Sequence, residues 1–288
     1  MPLASTPGRS GFGPQLSLSY DSGAGNGTFG FGWSLGLPAI TRKTDKGLPR
    51  YLDGDESDVF LISGAEDLVP VLDGTGRRWT VRRTVHGVAY TIHLYRPRIE
   101  GLFARIERWT RADDGVSHWR TITRDNVTSI FGYDETGRIA DTRDKRRVFS
   151  YLIQLTFDEK GNAAHYTYVA DDSRGVNRGA AHEANRGDEQ RRTQRYLKTV
   201  RYGNGQPYFA DCAEDGADTP LPTDWNFRIV LDYGDHDHDA PTPQPDTPWT
   251  VRPDSFSSYR AGFEVRTYRR CRRVLLFHHF PDEASAGR

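Results

Sequence analysis

Two imidazoles one residue apart can ligate a metal ion, and the run Gly234-Asp235-His236-Asp237-His238-Asp239 offers such a pair. In an extended backbone alternate side chains share a side, so His236 and His238 would face one way and the three aspartates the other. Neutral imidazole suits zinc, but a site also needs a third ligand and supporting hydrogen bonds, which the surrounding sequence does not supply. A solvated polar turn is the stronger expectation, with His236 and His238 kept as weak metal candidates. As a calcium loop, the Asp-x-Asp-x-Asp run lacks the required glycine and distal glutamate. His278-His279, just before Phe280-Pro281, is expected at a strand end with one ring inward and one outward, serving hydrogen bonding rather than catalysis. Ser63 has no glycine two residues before it and so does not form a nucleophile elbow. Asp58, Glu66 and Asp67 can pair on a sheet, but nothing marks one as an acid and another as a base. The sequence therefore assigns no catalytic residue and no cofactor.

The stretch expected to organise the chain is residues 11–40, GFGPQLSLSYDSGAGNGTFGFGWSLGLPAI. Residues 15–20 alternate polar and apolar, a strand pattern that puts Leu16, Leu18 and Tyr20 on one face. Gly23-Ala24-Gly25-Asn26-Gly27 raises the question of a phosphate cradle. Such a loop works by opening a helix, and here an aromatic, glycine-rich segment follows, with no Gly-Lys-Ser/Thr. The hairpin reading is preferred. Tyr20, Gly25, Gly27, Phe29, Phe31, Gly32 and Trp33 are singled out as structural residues. The aromatics are expected to form a packed ladder, and the glycines to permit turns and close backbone approach.

Composition agrees with an all-β chain. Of 288 residues, 36% are apolar and 12% aromatic, with 29 glycines and 16 prolines, a mixture suited to short strands joined by turns. Formal net charge is zero, so no global field draws nucleic acid or an anionic membrane. Basic runs at residues 143–147, 191–192 and 266–273 are flanked by acidic or apolar residues and are expected as solvated faces rather than a nucleic-acid site, the last of them on a strand with one solvated or partner-facing side. Cys212 and Cys271 are too few for a disulfide framework; each is expected as a free thiol, and a bridge between them is left open. The first residues carry no apolar signal-peptide core, and no apolar run of about 18 residues or more occurs.

Along the chain, residues 1–10 read as a loose arm and residues 11–288 as one β-domain, a hairpin-rich antiparallel meander. Strand patterns recur at residues 58–63, 68–72, 79–83, 89–96, 104–111, 196–202 and 227–233. Trp109 and Trp119 flank Ala112-Asp113-Asp114-Gly115, a hairpin turn. Gly132-Tyr133-Asp134-Glu135-Thr136-Gly137-Arg138 and Thr156-Phe157-Asp158-Glu159-Lys160-Gly161-Asn162 share aromatic-Asp-Glu-x-Gly, expected as an Asp-capped turn with a left-handed glycine. At most a short helix is expected near residues 180–195, and residues 259–280 read as one long strand or a hairpin without a clear tight turn.

These residues also carry a family resemblance. GFGPQLSLSYDSGAGNGTFGFGWSLGLPAITRKTDKGLPRY, then DVFLISGAEDLVP at 58–70, YLKTVRYGN at 196–204 and RPDSFSSYRAGFEVRTYRRCRRVLLFHHF at 252–280, closely resemble the N-terminal region of SpvB-type virulence proteins. That region is shared with the TcB (TcaC-like) component of bacterial insecticidal toxin complexes. The resemblance implies a β-module in the wall of a hollow Rhs/YD-repeat-type shell, and the paired motif above resembles those repeats. The shell encloses a cytotoxic effector, with an Rhs-repeat TcC-like toxin component as partner and a TcA-like pore-forming component joined through the remainder of the protein. It implies no nucleic-acid partner, no direct membrane insertion, and a protein made in the bacterial cytoplasm and secreted without a cleavable signal. The Ser-Thr-Ser and Glu-x-Glu elements of the family's ADP-ribosyltransferase half are absent here, so the chain is expected to be non-catalytic and a fragment of a longer product. The alternative is a free-standing binding module for a cell surface or carbohydrate, with Trp79, Trp109 and Trp119 as exposed platforms. An enzyme of another class stands third.

Overall fold

The computed structural model describes residues 1–63, 66–101, 103–210 and 219–280. The first glycine-rich stretch supplies four short strands, β1 (Leu18–Tyr20), β2 (Asn26–Gly27), β3 (Gly30–Phe31) and β4 (Trp33–Leu35). There follow β5 (Ala39–Arg42), β6 (Phe60–Ile62), β7 (Glu66–Pro70), β8 (Thr80–Val85), β9 (Val88–Pro97), β10 (Arg105–Arg111), β11 (Ser117–Ile122), β12 (Thr128–Phe131) and β13 (Arg138–Asp141). The long strand β14 (Asp144–Phe157) precedes β15 (Ala163–Ala170), β16 (Arg195–Asn204), β17 (Trp225–Asp232), β18 (Phe256–Ser258), β19 (Val265–Thr267) and β20 (Arg273–His278). Helix is confined, among the described residues, to α1 (Asp188–Arg191) and a few single 3-10 turns, one of them Ala181–Glu183. The all-β expectation holds.

All strand pairs are antiparallel, and β14 closes the sheet on itself. The path β5-β6-β7-β9-β10-β11-β12 ends on the second half of β14, where Thr128 faces Phe157, while β5 pairs with its middle, Tyr151 against Ile40. The result is a barrel-like ring. From the same strand the sheet continues outward through β15, β16, β17 and β20. Register shifts between Ile130 and Phe131, and along β13, let the long strand bend between the two tasks.

Strand alternation decides what fills the ring. Phe60 on β6, Tyr95 on β9, Trp119 on β11 and Tyr151 on β14 come from separated strands yet touch one another, with centroid distances of 4.9 Å for Phe60–Trp119 and 4.8 Å for Tyr95–Trp119. Such contacts can be made only across the interior. Ile40, Ile62, Leu68, Ile106 and Phe131 join the same buried core.

Three expectations are corrected by the fold. Residues 1–10 are not loose: Leu3 N donates to the Leu16 carbonyl, Tyr202 Oη donates to the Thr6 carbonyl, and Arg9 Nε reaches Asn162. The arm stays because Leu3 packs on the core and its polar backbone finds partners. Residues 259–280 are neither one strand nor one hairpin, since β18 and β19 form their own small sheet while β20 joins the main one. The ladder breaks where Tyr268 and Arg269 turn inward to Glu183 and Asp171. The two Asp-capped turns exist, with Asp134 accepting from Thr136 N and Asp158 from Lys160 N. Only Gly161 is left-handed, at φ 78°; Gly137 instead lies tight against Gln154.

Candidate functional site

Strand parity also sends charge into the barrel. Arg42 lies two residues after the fully buried Ile40, and Arg108 two after the fully buried Ile106, so each points inward with its apolar neighbour. The β5–β6 connection brings carboxylates to meet them. Arg42 donates from Nη1 to Asp53 and Asp58, both at 2.7 Å, and from Nε to the Val148 carbonyl at 2.8 Å. Arg108 donates to the other Asp53 oxygen at 2.6 Å. The Arg42 guanidinium lies over the rings of Tyr51 and Phe60, at 4.6 and 4.7 Å. Burial alone would raise the Asp53 carboxyl, but the hydrogen bond from Arg42 and the charge of Arg108 outweigh it and hold the group below its usual range.

Next to this cluster lies a cavity of about 580 Å³ whose walls include Arg50, Asp53, Arg78, His93 and Arg108. Burial pushes the His93 imidazole down, with the Arg78 and Arg108 charges adding to the effect. Asp58, a carboxylate noted for possible acid–base work, also accepts the backbone N–H groups of Arg50 and Tyr51. Asp67 is held by Lys43 at 2.7 Å and Glu66 by the Ile99 N–H. Each of the three carboxylates is bound to a different structural partner. The arrangement is suited to locking the β5–β6 connection over the ring.

The remaining candidates separate in space. His236 is buried, its ring between Lys198 Nζ at 3.1 Å and the Thr242 carbonyl at 3.0 Å, whereas the His238 side chain is 91% exposed beside Asp239. They do not share a side, because residues 234–239 form a turn in which Asp237 accepts the N–H groups of Asp239 and Ala240. Among the described residues no group of three or more His, Cys, Asp or Glu could hold a metal. His278 and His279 are both exposed, so the inward–outward expectation is corrected; His278 bonds Thr6 at 2.9 Å. Cys271 is a free thiol that burial pushes up to about 12, and Cys212 lies outside the described residues.

The glycine loop proves to be a clasp. Arg252 donates to the Gly27 carbonyl and to Asn26 Oδ1, both at 2.7 Å, and Asn26 donates in turn to Asp254 at 2.8 Å. Gly25 is left-handed, and Gly27 passes close to the Trp33 carbonyl. Gly32 has φ 76°, and a Cβ there would fall 2.6 Å from the Tyr20 ring. The ladder expectation is corrected for three of the four aromatics. Tyr20 (57%), Phe31 (64%) and Trp33 (39%) are exposed, and Phe29 alone packs against the core. Tyr20 and Trp33 face each other on the β1–β4 sheet while Phe31 lies on the separate β2–β3 sheet, so alternation along the sequence does not carry one inward face through this segment.

Comparison with known proteins now bears on this architecture. Residues 1–280 match the family described as SpvB, Salmonella virulence plasmid 65kDa B protein. The chain belongs to the SpvB family. It is 35% identical over 281 residues to the mono(ADP-ribosyl)transferase SpvB of Salmonella typhimurium (strain 14028s / SGSC 2262), covering 95% of this chain and 46% of that protein. The SpvB-family chain thus spans about half the length of the curated relatives it matches. Among solved structures it is similar to the N-terminal domain of effector protein SpvB from Salmonella typhimurium strain LT2, with TM-score 0.85, 34% identity, and 98% of this chain and 90% of that chain covered. It is equally similar to the TcdB2-TccC3 structure, with TM-score 0.85 and 32% identity over 99% of this chain and 13% of that chain.

What the sequence did not disclose was the interior position of Arg42 and Arg108 and the enclosure of two histidines, His118 buried and His165 half-buried. His118 is pushed down to about 3 by burial and by the charges of Arg138, Arg120 and Arg111; His165 falls to about 4 through burial and Arg201. Both shifts favour the neutral ring in the folded chain at neutral pH. Their contribution to stability is complete above the ordinary histidine value of 6.5 and declines below it, because the unfolded chain then binds protons that the folded chain refuses. The melting temperature is therefore expected to fall steadily from about pH 6.5 towards about pH 4.5, with His118→Gln flattening the slope. A profile that is flat over this window would contradict the assignment.

Proposed function

We propose that this chain is a non-catalytic wall segment of a secreted toxin or virulence protein, part of a β-shell that encloses and helps deliver a cytotoxic effector. The observation that carries the reading is the recurrence of the fold over 99% of this chain within the TcdB2-TccC3 structure, where it makes up 13% of a much longer chain. The packing suits such a role. Trp109 and Trp119 are 1% and 0% exposed, inside aromatic clusters, which removes two of the three platforms of the surface-binding alternative. The third, Trp79, is half-buried.

In this reading the direct partner is an Rhs-repeat TcC-like component, and a TcA-like pore engages the remainder of the protein. The product is made in the cytoplasm and leaves the cell without a cleaved signal. The Asp134 and Asp158 turns act as wall-building reversals of the YD-repeat kind. The test is to purify the gene product carrying this chain together with a TcC-like partner, image it, and follow digestion of the cargo. A hollow particle whose cargo resists protease is expected. Cargo cut as fast as when free, beside a monomeric chain, would overturn the reading.

A further inference from the structure

Away from the barrel, the open face of the outward sheet carries two arginines side by side. The register sets Arg201 on β16 directly opposite Arg228 on β17, and His165 on β15 directly opposite Arg201. The other face of β16 is core, since Val200 and Tyr202 are fully buried, so Thr199 and Arg201 lie on the face away from it. There a groove of about 500 Å³ is lined by Thr167, Thr199, Arg201 and Arg228, with Pro245 and Trp249 from the proline-rich segment 240–249.

The charges of this groove do not balance. Lys198 is matched by Asp235 at 2.6 Å and Arg174 by Asp172 at 3.2 Å, which leaves Arg201 and Arg228. Among the described residues neither forms an ion pair. Arg201 Nη2 meets His165 Nδ1 at 3.0 Å and its guanidinium lies 5.8 Å from the Trp225 ring centre, while its Nε is buried without a hydrogen-bond partner. His165 cannot neutralise it, because an imidazole is either neutral or cationic; burial and the Arg201 charge favour the neutral ring, which can accept a hydrogen bond but supplies no negative charge. Like charges directly opposite on neighbouring strands destabilise a sheet, and a buried unbonded N–H adds to the cost. The fold carries this arrangement where a planar anion could relieve both.

We propose that this groove is a carboxylate-binding site in which Arg201 and Arg228 together hold one carboxylate, with Trp249 and Pro245 packing against the apolar carbons that carry it. Two forked guanidiniums suit this geometry, and the charge-assisted bonds would supply most of the affinity. The carboxylate comes either from an acidic side chain of a protein segment or from a small organic acid. The site does not depend on the shell reading.

The test is titration calorimetry on the 288-residue chain with three probes: the blocked peptide acetyl-Ala-Glu-Glu-Ala-amide, its Gln-Gln counterpart, and citrate. Binding of the Glu peptide alone assigns a protein segment, and binding of citrate alone assigns a small acid. In either case affinity is expected to fall about tenfold or more in Arg201→Gln and in Arg228→Gln, and to weaken with added salt. The melting temperature of Arg228→Gln, measured in parallel, is expected to hold or rise as the repulsion is removed, which shows that the variant is folded. No binding of either acid at millimolar concentration, equal binding of the Gln peptide, or binding indifferent to both substitutions would overturn the proposal.

Discussion

Replacing Arg42 by methionine is expected to destabilise the chain by about 3–5 kcal/mol, measured as the loss of unfolding free energy in urea. The guanidinium is fully buried and the Asp58 side chain is 5% exposed, so removing the cation strands a carboxylate that water can scarcely reach. Asp53, at 23% exposure, keeps Arg108 and is less affected. The Val148 carbonyl also loses its donor. Because the cost lies in the uncompensated charge rather than in the lost attraction, Arg42→Met combined with Asp58→Asn is expected to recover a substantial part of it. A loss below about 1 kcal/mol for Arg42→Met alone would mean that the cluster behaves as a solvated surface pair.

How much of this was legible before the structure depended on whether the signal was local. The β10–β11 hairpin is written in a few consecutive residues, two apolar-rich strands around Ala112-Asp113-Asp114-Gly115, and it forms as read, with Trp109 opposite His118. Closure of the ring is not local. Thr41 and Ser150 bond at 2.8 Å across 109 positions, and neither segment carries a mark of the other. The start of β14 was read as a solvated basic run, and that holds for Arg146, which pairs with Asp144 at the surface. Arg147 is half-exposed, packing on the Tyr51 ring and pairing with Asp141, and the expectation fails in the other two runs, where Arg191, Arg266 and Arg269 are buried against Glu183 and Asp171. On β5, alternation sets Ile40 and Arg42 on one face but cannot say which way that face points, since an inward arginine is tolerable only with the carboxylates of a later loop in place. The same ambiguity put Tyr20, Phe31 and Trp33 in a core they do not occupy. For His236 and His238 the rule of alternation was applied to a turn, where it does not hold. The family resemblance covers both of the distant segments that the Arg252–Asn26 clasp holds together, but it does not by itself say that they meet.

The sharpest contrast between pattern and packing is between two tryptophans. Trp119→Ala is expected to cost about 3–5 kcal/mol, because the indole is fully buried and touches Phe60, Tyr95 and Tyr151 from three other strands. The cavity would open at the centre of the ring, where a closed sheet has little freedom to collapse, so the upper part of that range is expected. Trp33→Ala, in a stretch that looks more organised in sequence, removes a ring that is 39% exposed and meets chiefly Tyr20, at 5.3 Å. Its expected cost in the isolated chain is about 1 kcal/mol or less. Urea unfolding of both variants decides the matter. Equal losses would place the N-terminal aromatics in the folding core after all. A large loss for Trp119 with a small one for Trp33 would mean that stability resides in the barrel, leaving the exposed Tyr20, Phe31 and Trp33 free to be covered by the longer protein to which this fold belongs in its relatives.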